Sequence, residues 1–194
     1  GSNGEKRLTN NFMQKVVLSE ISLIHGEVKT PEGFEIDLKT IKNSIIDAFI
    51  NENRVSKNKK DYSYNDYNVD FSLPLQWLKD YIRDHFKAEY HQSLIPVLNF
   101  ANVLKPKEKS FNRNNADPVD LRNAADYTCV FGVDVNGDCD LVIEYAENRR
   151  AGRTWHIPIK NNKYYIFPST QRYFFTDNKS DKLNTILTMT YNYL

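Results

Sequence analysis

Cysteine, glycine and proline are all scarce in this sequence, with 2, 7 and 7 copies in 194 residues. Two cysteines cannot build a disulfide scaffold, and the low glycine and proline content excludes a collagen-like or low-complexity chain. No run reaches the roughly 18 apolar residues of a membrane span. Lys and Arg number 26 against 25 Asp and Glu. A net charge of +1 therefore predicts neither a nucleic acid nor a membrane surface as partner.

Aromatic residues are plentiful instead, with 12 Tyr and 11 Phe, and Asn is frequent throughout. Aromatic side chains favour strands and Asn favours turns, so the composition predicts a β-rich chain. We expect one domain over 13–194, with residues 1–12 as a flexible N-terminus or an expression remnant. Few cysteines and no signal-peptide pattern predict a reducing cytoplasm.

The first 70 residues carry one predicted strand and one predicted helix. The apolar-rich run over 13–24 predicts the strand. Asp37 can cap a helix of about 38–51, where apolar residues recur at helical spacing. The polar stretch 51–70 predicts a long loop.

A second helix and then a run of strands follow. Ser72 can cap a helix of about 73–91, with Pro74 in its first turn. From Ile95 onward apolar and polar residues alternate with the period of two that strands require. We therefore expect an α+β protein with helices packed on one sheet, its helical part about 37–92 and its β core about 95–194.

Two Asn-containing turns predict β-hairpins in the second half. Asn136-Gly137 supplies both positive-φ residues of a type I′ turn. That register places Cys129 opposite Glu144, so both thiols are expected to be free. Asn161-Asn162 predicts a second hairpin, and a last strand is expected over 183–194.

The order and spacing of these segments resemble those of a known family. The segments are the strands over 127–133 and 140–145, the turn Phe167-Pro168-Ser169 and the closing run 190–193. Over about 70–194 the chain resembles the 2-oxoglutarate/Fe(II) oxygenases of the prolyl-hydroxylase-like branch, and their phage-encoded members in particular. The resemblance implies a double-stranded β-helix, a cupin-like jelly roll, with the two helices on one sheet. A phage origin would place the protein in the host cytoplasm or the virion.

The resemblance also implies a metal site that this sequence does not reproduce. The family binds Fe(II) through His-X-Asp/Glu or His-X-His and a distal His, and an Arg on the last strand binds 2-oxoglutarate. The stretch before 127–133 contains no His, and its nearest imitation is formed by Asn115 and Asp117. Counting from the Phe-Pro-Ser turn puts the distal position at Tyr173. Face alternation on the last strand puts the arginine position at Ile186.

The degenerate positions lead to one main interpretation and two alternatives. The main one is a jelly-roll protein that has lost Fe(II) and 2-oxoglutarate, so that no metal or cofactor is predicted. It would act as a binding or structural module for an unknown protein or small molecule, as a possible homo-oligomer, with Tyr173 and Ile186 plugging the barrel. The first alternative is an active hydroxylase that uses both cofactors through a displaced site at Asp117 or Asp126. The second is an unrelated β-sandwich interaction protein.

Overall fold

The computed structural model describes residues 13–18, 20–30, 38–55, 66–116, 124–146, 150 and 152–194. Within these ranges the chain begins with a strand, a helix, a short strand and a second helix, and seven strands follow. In chain order the elements are β1 (Ile24–Glu27), α1 (Leu38–Val55), β2 (Tyr67–Asn68), α2 (Leu73–Tyr90), β3 (Leu94–Leu104), β4 (Tyr127–Asp134), β5 (Asp140–Ala146), β6 (Gly152–Pro158), β7 (Lys163–Pro168), β8 (Arg172–Phe175) and β9 (Asn184–Tyr193).

Both predicted helices form, and local signals fix the ends of α2. Ser72 Oγ accepts the Leu75 N–H at 3.3 Å, and Pro74 lies in the first turn, where its missing N–H costs nothing. At the other end His91 adopts a left-handed conformation with a φ of 55°. α1 continues to Val55, one turn beyond its predicted end, and its predicted cap lies outside the described residues. No helix in the described ranges is long and apolar enough to cross a membrane.

The strands form two antiparallel sheets. The larger sheet has the order β1-β7-β4-β9-β3-β2, and the smaller has the order β6-β5-β8. A single antiparallel bridge between Arg113 and Tyr173 extends the smaller sheet beyond β8. The chain crosses between the sheets after β4, β6, β7 and β8, as in a jelly roll.

Two clusters of buried apolar residues lie on opposite faces of the larger sheet. One packs α1 and α2 against that sheet, and it includes Leu78, Ile82 and Leu187. The other fills the space between the two sheets, and it includes Phe167 and Ile186. Successive residues of β9 therefore point into different clusters, which confirms that the helices pack on one sheet.

Both predicted hairpins are wrong. β4 pairs with β7 and β9, whereas β5 pairs with β6 and β8, so Asn136-Gly137 connects two different sheets. Cys129 lies opposite Ile166 and Met189 rather than Glu144. Residues 128–133 are all buried, because the helices cover one face of β4 and the smaller sheet covers the other. β4 is therefore a central strand, and β7 and β9 rather than β5 pair with its two edges. The two cysteines are free, as predicted.

The connection at Asn161-Asn162 also passes between sheets, because β6 and β7 do not pair. Asn162 takes a positive φ of 65°, which suits the turn without making a hairpin. The turn crosses β4 at Gly132, where any Cβ would overlap the Lys160 carbonyl. Close passage of the two backbones therefore requires glycine at this position.

The predicted strand over 13–24 is also wrong, since the strand begins at Ile24 and runs to Glu27 along β7. Residues 13–18 form no strand, and their apolar side chains are exposed. The predicted loop 51–70 contains the end of α1 and the short strand β2, while 56–65 lie outside the described residues. β1 and β2 thus form the two edges of the larger sheet and extend it beyond the predicted β core.

Candidate ligand cavity at the mouth of the barrel

The structure brings two of the four predicted site residues into contact. Asn115 Nδ2 donates a hydrogen bond to the Tyr173 hydroxyl at 3.0 Å, although 58 positions separate them in the chain. Ile186 lies on β9 with no exposed surface, inside the cluster between the sheets. Asp117 lies outside the described residues.

Asn115 is the centre of a polar network that crosses the barrel. Its Nδ2 also donates to Thr128 Oγ1 at 2.9 Å, and Thr128 Oγ1 lies 2.9 Å from Ser169 Oγ. Its Oδ1 accepts from Arg113 Nη2 at 3.2 Å. The amide therefore uses both of its N–H groups and its oxygen to join β4, the end of β7 and β8, which fixes the side chain.

Arg113 closes one side of this network. Its Nη1 forms an ion pair with the Asp66 carboxylate, and its guanidinium carbon lies 4.5 Å above the Phe100 ring centroid. Burial is the largest single influence and would lower the pKa of Arg113, but the hydrogen bond to Asp66 and the electrostatic effects of Tyr173 and Asp66 together outweigh it, so the pKa is raised. The guanidinium thus keeps its charge at the barrel mouth, and the Asp66 carboxylate balances it.

A cavity of about 470 Å³ with both polar and apolar walls opens beside this ion pair. Its walls come from the segment around β2, the middle of β3, the Arg113–Asn115 segment and β9. They consist of Asp66, Asn68, Val97, Leu98, Asn99, Phe100, Arg113, Asn115, Ala124, Ala125 and Thr190. A second cavity of about 290 Å³ also contacts Asp66 and Arg113, so the ion pair borders both spaces.

The interior behind the network is filled by side chains. Tyr173 is 1% exposed and Ile186 is fully buried, and both belong to the apolar cluster between the sheets. Burial raises the pKa of Tyr173, so its hydroxyl is neutral at physiological pH. The Tyr173 ring contacts Phe167 and Phe175 edge-on at centroid separations of 5.2 and 5.9 Å.

All four histidines lie away from the cavity. His25 belongs to β1, and His91 ends α2. His85 bonds a carbonyl oxygen within its own helix. His156 Nδ1 lies 3.7 Å from Asp140 Oδ2, on the outer edge of the smaller sheet. None of them can join the residues around Asn115.

The residues present therefore do not fit the Fe(II) centre that the resemblance implies. That centre needs two imidazoles and a carboxylate on one face of the metal. Around Asn115 and Tyr173 the structure offers neutral amide and hydroxyl groups, and a guanidinium within 3.2 Å of the amide oxygen. Within the described ranges, no three His, Cys, Asp or Glu side chains cluster closely enough to hold a metal. A cation would meet the positive charge of Arg113.

Sequence reasoning missed both members of the ion pair. Arg113 could have been found, because it precedes Asn115 by two positions and so shares its face of an extended segment. Asp66 carries no such signal, since it lies 47 positions earlier in a stretch that reads as a loop.

No known family pattern matches the sequence, and no curated protein matches it. Solved structures do match. AviO1 from Streptomyces viridochromogenes Tue57 has a TM-score of 0.60 and 13% identity, over 89% of this chain and 90% of that chain. SnoK, a non-heme alpha ketoglutarate dependent carbocyclase from nogalamycin biosynthesis, has a TM-score of 0.58 and 10% identity, over 89% of this chain and 79% of that chain. A Pseudomonas putida prolyl-4-hydroxylase has a TM-score of 0.51 and 9% identity, over 89% of this chain and 92% of that chain.

At these identities the likeness establishes the fold. The chain has the double-stranded β-helix of the 2-oxoglutarate/Fe(II) oxygenases, with two helices on one sheet, and the predicted fold class is confirmed. The chemistry has to be argued from the cavity itself, because one fold supports many functions.

Proposed function

We propose that this chain is a binding protein built on the oxygenase fold, without the Fe(II) and 2-oxoglutarate chemistry. One observation carries the proposal: Asn115 and Tyr173, which the resemblance suggests as counterparts of iron ligands, hydrogen-bond each other and lie beside the guanidinium of Arg113. A guanidinium and a neutral phenol do not bind Fe(II) in such a site. Ile186, which face alternation on the last strand suggests as the counterpart of the 2-oxoglutarate arginine, cannot bind a carboxylate.

The lining of the larger cavity supports a small uncharged ligand. Asp66 balances the charge of Arg113, so the cavity presents no net charge from this pair. Amide and hydroxyl groups of Asn68, Asn99 and Thr190 line the same space, beside a few apolar side chains. A volume of about 470 Å³ lies within the ordinary range for small-molecule sites. The ligand class is therefore a neutral molecule with several hydrogen-bonding groups.

Metal titration tests the loss of the cofactor site. Anaerobic addition of Fe(II) and 2-oxoglutarate to the purified protein should give no charge-transfer absorption, and Co(II) should give no ligand-field band. The double variant N115H/Y173H supplies two imidazoles at the positions that counting assigned to the triad. If those positions are equivalent to the family's, this variant gains Co(II) binding that the unchanged chain lacks.

The double variant N114H/F174H is the matched control, because it adds the same two imidazoles one position along each segment. Alternation turns those side chains away from the network, so no gain of Co(II) binding is expected. Stoichiometric Fe(II) and 2-oxoglutarate binding by the unchanged chain would end the proposal. It would favour the active hydroxylase instead.

The described residues offer no support for that alternative. Asp126, one of its two proposed ligands, accepts the Tyr193 backbone N–H at 3.0 Å and has no histidine beside it. Asp117, the other, lies outside the described residues. A phage origin and a cytoplasmic location stay predictions.

A further inference from the structure

The smaller sheet ends in an exposed edge strand. β6 pairs with β5 along its whole length, from Gly152 to Pro158. Six of its seven residues are exposed and the other is half-buried. Within the described ranges no strand pairs with its outer edge. A strand edge of this kind has free backbone N–H and C=O groups that can accept another strand.

An apolar groove of about 370 Å³ lies beside this edge. One wall consists of side chains from β5 and β6, including Tyr145, Trp155 and Ile157. The other wall is formed by residues 21–23, which lead into β1. Trp155 is 47% exposed and its ring centroid lies 6.2 Å from that of Tyr145. Two large aromatic rings therefore stand at the groove with part of their surface open to solvent.

The segment over 13–18, which precedes residues 21–23 in the chain, carries apolar side chains that are largely exposed within the described ranges. Met13, Val16, Val17 and Leu18 are 88%, 73%, 66% and 94% exposed. Apolar side chains that are exposed together in one segment indicate a contact surface rather than chance exposure. The two β-branched valines also favour a strand, although residues 13–18 form none in the single chain.

We propose that residues 13–18 of one copy add as a strand to the β6 edge of a second copy, with Val17 or Leu18 against Trp155. The same chain thus carries a strand-like segment without a sheet and a sheet edge without a strand. Reciprocal exchange satisfies both surfaces at once and closes a two-fold dimer. The second copy is the occupant because Val16, Val17 and Leu18 are 66–94% exposed in the single chain and none of them lines the groove of its own copy.

Light scattering on a dilution series of the full chain tests the association. We expect a concentration-dependent rise from 22.7 kDa to twice that mass. The variant V17D/L18D should weaken dimerisation roughly a hundredfold, because one of the two side chains packs against Trp155 in each copy and each of these two lost contacts costs about tenfold. Its matched control is F71D/L73D, which also replaces two exposed apolar residues (75% and 77% exposed) but lies outside the groove. The control should dimerise as the unchanged chain does.

Disulfide trapping distinguishes exchange between copies from pairing within one chain. A tagged L18C copy mixed with an untagged T154C copy should form a mixed disulfide, and the native thiols do not interfere because both are buried. A chain that stays monomeric over the whole series would overturn the proposal. So would a dimer that V17D/L18D does not weaken, or a double variant L18C/T154C that cross-links only within one chain.

Discussion

Replacing Ile186 with Arg measures how firmly the barrel is closed. Ile186 has no exposed surface and lies between Asn102 of β3 and Gly132 of β4 in the larger sheet. Loss of its apolar burial costs about 2 kcal/mol, and an unpaired buried charge costs about 3–5 kcal/mol. The sum of about 5–7 kcal/mol is close to the whole stability of a typical domain, about 5–15 kcal/mol.

Thermal unfolding followed by circular dichroism is the assay, together with calorimetric titration of 2-oxoglutarate. For a chain of this size each kcal/mol moves Tm by about 2–4 °C, so I186R should melt roughly 10–28 °C lower or fail to fold. The control I186M keeps the volume apolar and should cost less than about 1.5 kcal/mol. If I186R melts like the unchanged protein and binds 2-oxoglutarate, the interior is open and the reasoning is refuted.

Three further outcomes follow from the structure. Asp66→Asn should lower the free energy of unfolding by about 1 kcal/mol in urea, because Arg113 loses its counter-charge; an unchanged midpoint would show that the ion pair contributes nothing. Thiol titration of the unfolded, unreduced protein should find Cys129 and Cys139 both free, while the native protein reacts slowly at neutral pH. Burial raises the pKa of both thiols, that of Cys139 to about 11. Burial also raises the pKa of Tyr191 well above 10.0, so its contribution to stability is full below pH 10.0 and is lost as the pH rises further. The variant Y191F should flatten that alkaline decline, and an identical decline would point to another group.

Local signals explain what could be predicted of the fold. Ser72, Pro74 and the apolar stripe that follows them fix α2 within one residue, because each acts within a turn or two of the chain. Strand pairing is different. Asn136-Gly137 supports a reversal of the chain equally well within one sheet or between two. The choice depends on residues about 33 to 64 positions away on β7 and β9, which pair with the two edges of β4.

The candidate site could be predicted in part for a similar reason. Counting from Phe167-Pro168-Ser169 placed Tyr173 on the barrel interior because β8 follows that turn directly. Asn115 was predicted as a site residue because the resemblance expects the first pair of iron ligands in the stretch before β4. The partner of Arg113 could not be found this way, since Asp66 lies 47 positions earlier in the chain, with α2 and β3 between the two residues in sequence.

The arrangement of two apolar clusters on opposite faces of one sheet has a consequence for how this protein can change over time. The helix-side cluster and the inter-sheet cluster share β4 and β9 but not the side chains that those strands present. Stability effects at such separated positions add rather than reinforce one another. Substitutions inside the barrel can therefore accumulate while the layer beneath the helices continues to hold the scaffold together.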